Sequence, residues 1–196
     1  VILAFLCGSI PFSVWLGQLI LKVDVRRYGD GNPGAVNAYK AGSKLIGLIV
    51  LLLDVSKAAI PVGLAYYNFE VRGFPLVLIA IAPVLGHAYS PFLRFRGGKA
   101  IAAVLGVWIG LTLWKASLAG VILTLVGYAL TAVSGWGVML GLTGILIVLL
   151  FWIEDKYLLL VWVGVSLILI WKHKKDLAQF PKLRPWIRKI LFPSEK

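Results

Sequence analysis

The chain has 196 residues, 60% of them hydrophobic and 14% charged, with a mean hydropathy of +0.92. Soluble domains carry about 25% charged residues, so this composition excludes a large soluble domain and indicates a bilayer protein with room for at most about eight or nine crossings of roughly 20 residues each. The net charge of +12 is assigned to topology and anionic lipid rather than to nucleic acid, which is not expected as a partner.

In chain order, apolar segments cover about 1–21, 45–67, 74–93, 100–115, 116–133, 136–153 and 157–171. The start at Val1 fits a missing short leader, and the lack of a small-residue cleavage site argues against a signal peptide. Cys7 stands alone, which rules out an intrachain disulfide. With His87 and His173 as the only histidines, no standard structural zinc site is expected. Ser9 and Ser13 share one face of the first segment and are read as polar glue between helices.

The loop after the first segment holds Gly29-Asp30-Gly31-Asn32-Pro33-Gly34-Ala35-Val36-Asn37. Such a loop can aim consecutive backbone N–H groups at one anion, with Lys40 adding charge. Asn-Pro-Gly is equally a plain turn signal. Asp54 and Lys57 sit mid-segment at i and i+3, where mutual neutralisation weighs slightly ahead of catalysis. His87 lies in a segment interrupted by Pro75, Pro83 and Pro91, and packing is its expected role. Arg94-Phe95-Arg96-Gly97-Gly98-Lys99 leads straight into the helix expected from Ala100, and glycines there would free first-turn N–H groups for an oxyanion beside the Lys99 charge. The spacing is not that of a nucleotide P-loop, and topology charges are the competing explanation. His173, with Asp176 at i+3, follows the last segment among lysines at a helix end, expected at the cytoplasmic surface. A neutral imidazole there can accept an alcohol proton. Pro181 to Phe192 alternates apolar and basic residues and reads as an interfacial anchor helix.

Seven crossings with the N-terminus outside place sixteen Lys and Arg on the inner side and three (Arg72, Lys115 and Lys156) on the outer. Six crossings would put the basic tail on the wrong face. The expected organisation is therefore a transmembrane helical domain over 1–171, with cytoplasmic loops 22–44 and 94–99, and a basic cytoplasmic tail over 172–196. No internal repeat supports an inverted-repeat transporter.

Together, Gly8-Ser9-Ile10-Pro11-Phe12, Asp24-Val25-Arg26, the glycine loop to Asn37, Leu53-Asp54-Val55-Ser56-Lys57, Leu85-Gly86-His87, Phe92 to Lys99 and the weaker Lys172-His173 to Asp176 resemble the bacterial acyl-phosphate:glycerol-3-phosphate acyltransferase family. The resemblance covers nearly the whole chain. It implies an all-α, seven-helix bundle in the bacterial cytoplasmic membrane that uses neither metal nor cofactor. The implied reaction moves a fatty acyl group from acyl phosphate to glycerol 3-phosphate. It also implies a cytoplasmic site in which His173, Asp30 and Lys99 are the catalytic candidates. The substrate-binding candidates are Gly29, Gly31, Asn32, Gly34, Asn37, Lys40, Arg96, Gly97, Gly98 and Asp176. This chain departs from the usual family residues at Asp30 (Ser), Val36 (Thr), Lys40 (Arg), Ala100 (Gly) and Asp176 (Asn). The competing expectation is a catalytically divergent paralogue that binds or transports an anionic lipid or small phosphate.

Overall fold

The computed structural model describes residues 1–191, so Phe192 and Lys196 of the expected tail lie outside the described residues. All seven apolar segments are helical, because in hydrocarbon each backbone N–H and C=O must find its partner within the protein. In order they are α1 (Ile2–Ser9), α2 (Phe12–Leu16), α3 (Ala35–Lys40), α4 (Lys44–Gly63), α5 (Phe74–Ala88), α6 (Ile101–Thr112), α7 (Lys115–Leu130), α8 (Ser134–Val148) and α9 (Lys156–Lys172), followed by the short α10 (Lys174–Leu177) and α11 (Pro185–Leu191). π-Helical turns extend α2 to Leu21, α4 to Asn68 and α8 to Ile153. Among the described residues, the stretches Ile2–Leu21, Lys44–Asn68, Phe74–Leu93 and Ser134–Ile153 are long and apolar enough to cross a membrane; α6 and α7 are apolar but shorter.

The first segment departs from the single helix expected. Pro11 cannot donate a backbone hydrogen bond, and the chain breaks at Ile10–Pro11 between α1 and α2. Ser9 and Ser13 therefore lie on two different helices. The Ser9 hydroxyl bonds back to the Phe5 carbonyl at 2.7 Å. The link to another helix runs instead from the Ser90 hydroxyl to the Ser9 carbonyl at 2.6 Å.

Helix pairs close on glycine. A Cβ at Gly8 would overlap the backbone of Pro83, and one at Gly86 would overlap the Phe5 carbonyl, which brings α1 against α5. On α6, a Cβ at Gly106 would overlap the Val55 carbonyl of α4, and one at Gly110 would lie 2.8 Å from the Ala59 carbonyl. Small residues at such seams allow backbone approach where lipid removes the usual hydrophobic drive between helices. Trp108, Val107, Leu149 and Val161 are fully buried in the main core. Phe151 and Leu167 face outward, as lipid-facing side chains should.

The tail docks rather than extending freely along the surface. Thr131 pairs with Leu183 in an isolated bridge, Arg184 donates from Nε to the Tyr128 carbonyl at 2.7 Å, and Ile187 of α11 is buried. Trp186 and Ile190 remain exposed, which preserves an apolar surface for the headgroup layer.

Candidate functional site

The first loop is ordered by its own side chains. Asp24 caps the 3-10 turn Val25–Arg27 and pairs with the Arg26 guanidinium at 2.8 Å, so that arginine is already neutralised. Gly29 and Gly31 adopt φ of +58° and +76°, a region that costs other L-residues about 1–2 kcal/mol. Asp30 Oδ1 then accepts from the Asn32 N–H at 3.2 Å and from Asn37 Nδ2 at 3.1 Å, while Asn37 Nδ2 also reaches the Asn32 carbonyl at 2.9 Å. Gly34 is extended and opens α3. Asn37 is buried and ties the loop to that helix.

The third loop returns from α5 through the 3-10 turn Pro91–Leu93, with Arg94 and Phe95 both in the left-handed region. The glycines here also serve packing. Gly98 donates its N–H to the His87 carbonyl at 3.0 Å. A Cβ at Gly97 would overlap that carbonyl, and one at Gly98 would overlap the His87 ring and sit 3.0 Å from the Pro33 carbonyl. Their lack of a side chain brings α5, the first loop and the third loop into contact. Lys172, at the end of α9, donates to the Ala88 and Gly97 carbonyls at 3.0 and 3.1 Å and fixes the loop from the other side.

Lys99 is the meeting point. Its Nζ lies 3.0 Å from Asp30 Oδ2 and 3.4 Å from Asp176 Oδ2, and the Ser134 hydroxyl donates to the same Asp176 oxygen at 2.9 Å. First loop, third loop, start of α8 and tail thus converge on one ammonium. Burial pushes the Asp30 carboxyl up, but hydrogen bonds from Lys99, Asn32 and Asn37 outweigh it and hold the group below the usual carboxylate range. Lys99 shows the mirror case: burial pulls it down, yet Asp30 and Asp176 hold it above an ordinary lysine.

His173 does not emerge at the surface, as the lysines around it had led us to expect; it is 1% exposed. Helix α9 ends one residue earlier, and the turn into α10 folds the ring inward against Gly135, whose hypothetical Cβ would lie 3.5 Å from the His173 Cβ. Its Nδ1 is 2.9 Å from the Leu169 carbonyl, which assigns the proton to that nitrogen, and Nε2 has no partner among the described residues. Burial first, then nearby Lys99, lower its pKa despite the carbonyl and the two carboxylates.

A cavity of about 350 Å³ opens beside this cluster. Asn32, Gly34, Asp54, His87 and Lys99 form its polar end. On α7, Ser117, Gly120, Val121, Thr124, Leu125 and Tyr128 line it, a single stripe at helical spacing. Residues Ile101, Val104, Leu105 and Trp108 of α6 and Val138, Gly141, Leu142 and Ile145 of α8 supply matching stripes. Lys40 and Arg96 are exposed and do not line it, and Asp30, His173 and Asp176 sit beside Lys99 but outside the lining as well.

Several contributors escaped the sequence reading. Asp54 pairs with Lys57 at 2.6 Å, as mutual neutralisation requires, and Lys57 also donates to the Ile10 carbonyl at 2.7 Å. Asp54 nevertheless reaches the cavity wall, and so does His87, although packing alone was expected of it. Its Nδ1 lies 3.8 Å from Asp54 and has no hydrogen-bond partner among the described residues. The available signals were the family-like segments around Asp54 and His87 and the proline-broken backbone around His87. Ser134 carried none, and Lys172 stood only in the weaker tail match.

Similarity to known proteins points the same way. A family model described as glycerol-3-phosphate acyltransferase matches residues 1–182. A protein of that name from Anaeromyxobacter sp. (strain Fw109-5) is 38% identical over 89% of this chain and 88% of its own length. One from Methylobacillus flagellatus is 37% identical over 100% of this chain and 93% of its own. The crystal structure of PlsY, an integral membrane glycerol 3-phosphate acyltransferase, in its glycerol 3-phosphate form superposes with a TM-score of 0.84 at 27% identity, covering 97% of this chain and 96% of that one. The lysophosphatidic acid form of PlsY gives 0.80 at 26% identity, covering 100% and 91%.

Proposed function

The chain belongs to the glycerol-3-phosphate acyltransferase family, and from that membership we propose that it transfers a fatty acyl group from an acyl phosphate to glycerol 3-phosphate, yielding lysophosphatidic acid and inorganic phosphate. The observation that carries this reading is the placement of Lys99 with Asn32 and Gly34 of the glycine loop at the polar end of an otherwise apolar cavity, the same ammonium being paired to Asp30 and to the tail Asp176. A lipid tail needs the apolar stripes, and the phosphates need the cation.

Acyl phosphate is already activated, so the protein's task is to position two substrates and stabilise charge. The substrate hydroxyl oxygen forms a bond to the acyl carbonyl carbon, and the bond from that carbon to the phosphate oxygen breaks. Lys99 receives the phosphate charge as Asp30 and Asp176 yield their contacts. The unpartnered Nε2 of His173 accepts the hydroxyl proton, which then leaves with phosphate or water. Asn32 and Gly34 line the polar end, Gly29, Gly31 and Asn37 hold their loop in shape, and Gly97 and Gly98 pack the third loop against His87, while Lys40 and Arg96 act from outside as attracting charges.

The same reading includes seven crossings of the bacterial cytoplasmic membrane, N-terminus outside and basic tail inside, with 1–171 as the membrane domain. Purified protein supplied with an acyl phosphate and glycerol 3-phosphate should release phosphate and form lysophosphatidic acid in equal amounts. Folded protein that yields no product, yet binds anionic lipid saturably, would mark a divergent binder and overturn the proposal.

A further inference from the structure

We infer that the far end of the cavity, where Ser117, Gly120 and Ile145 meet beside Trp108, is a ruler that selects acyl donors of about 12–14 carbons. This inference rests on the acyltransferase reading and adds the donor length and the residues that set it.

The far end is closed. Helices α6 and α7 are joined by only Leu113 and Trp114, so the groove between them must stop at that turn. The turn is pinned to the two helix ends: the Thr112 hydroxyl donates to the Trp108 carbonyl at 2.7 Å and accepts from the Ala116 N–H at 3.2 Å, and the Ser117 hydroxyl bonds to the Leu113 carbonyl. Leu111 and Ala116 are buried, yet neither borders the cavity. Across the groove, a Cβ at Gly120 would lie 2.8 Å from Ile145 Cδ1. The isoleucine therefore rests on the α7 backbone and seals the remaining gap between α7 and α8.

Length follows from helix geometry. The stripe on α7 runs from Tyr128, near the polar end, to Ser117, about 16 Å at 1.5 Å per residue. An extended chain advances about 1.2 Å per bond, judged from the reach of an extended backbone. The groove thus takes about 13 bonds beyond the reacting carbonyl, and a longer tail must bend or leave sideways.

The experiment is a kcat/KM profile over acyl phosphates of even length from about 10 to about 18 carbons, for the parent and for Ile145→Ala and Val121→Phe. Val121 is only partly buried, one helical turn above the floor, so a larger ring there can be accommodated. The parent optimum should lie at about 12–14 carbons, with a fall of about tenfold or more by the longest donor, since each misfitted methylene is worth about 10-fold or more. Ile145→Ala should move the optimum up by about two carbons and Val121→Phe should move it down by about four. A parent profile flat within about threefold from 12 to 18 carbons overturns the ruler even if neither variant folds. An optimum unmoved in two active variants also overturns it. A folded parent inactive with every donor removes the acyltransferase reading itself, and the ruler with it.

Discussion

At Lys99 any incoming phosphate competes with carboxylates at 3.0 and 3.4 Å, so the ammonium is more than offset at rest and offers its positive charge to a ligand only when Asp30 and Asp176 let go. Lys99→Ala should lower kcat/KM by about 100-fold or more, the scale expected for loss of one charge-stabilising group, while leaving the unfolding midpoint nearly unchanged because the pair with Asp30 is partly exposed. Parallel turnover and thermal-melt measurements check this, and unaltered turnover would remove Lys99 from the site. Burial and Lys99 hold the His173 pKa below the free value of about 6.5. A lowered value means the neutral, proton-accepting form persists into mildly acidic solution, and the same group disfavours folding as pH falls through its folded pKa. The acid limb of the kcat/KM profile should therefore have its midpoint below pH 6.5, and a midpoint above it would exclude His173 as acceptor. Ala100 occupies φ +63° at the start of α6, where the family resemblance sets glycine. Ala100→Gly should stabilise the protein by about 0.5–1 kcal/mol, read as a raised unfolding temperature.

At the scale of helices, packing is decided by glycine seams and the cavity by what those seams leave open. Gly106 on α6 meets the Val55 carbonyl of α4, and backbone cannot retreat as a side chain can. Gly106→Val should cost about 1–3 kcal/mol through overpacking, measured as a lower unfolding temperature in detergent; a neutral result would mean that α4 and α6 are not locked together there. The stripes of α6, α7 and α8 that line the cavity were illegible in the sequence. These helices are apolar on every side, so the residues facing lipid, core and cavity cannot be told apart by periodicity. The Ile10–Pro11 break is the opposite case: Pro11 is plain in the sequence, but the apolar run continues across it, and hydropathy does not distinguish one helix from two.

Over the whole molecule, outward-facing Leu, Ile and Phe side chains form the lipid surface, while the first loop, third loop and tail gather around Lys99. The proposed topology makes a direct prediction. In a Cys7→Ser background, Glu70→Cys should react with a membrane-impermeant thiol reagent on intact cells, whereas Lys175→Cys should react only after the membrane is opened; both positions are exposed. The reverse pattern would invert the chain and place the site outside.

Sequence alone determined the medium and the elements. Long apolar runs have no stable state in water, and the uneven charge on their connections chooses an orientation. It also marked Asp30, Lys99, His173 and Asp176 as candidates, because motif order survives without coordinates. Only the tertiary structure decided that Lys99 is shared between Asp30 and Asp176, that His173 is buried with one nitrogen unpartnered, that Lys40 and Arg96 stay outside, and that Asp54 and His87 reach the cavity. Those facts depend on which helix faces touch. In a bundle of uniformly apolar helices, that choice is made by close backbone contact at glycine, which leaves no trace in hydropathy.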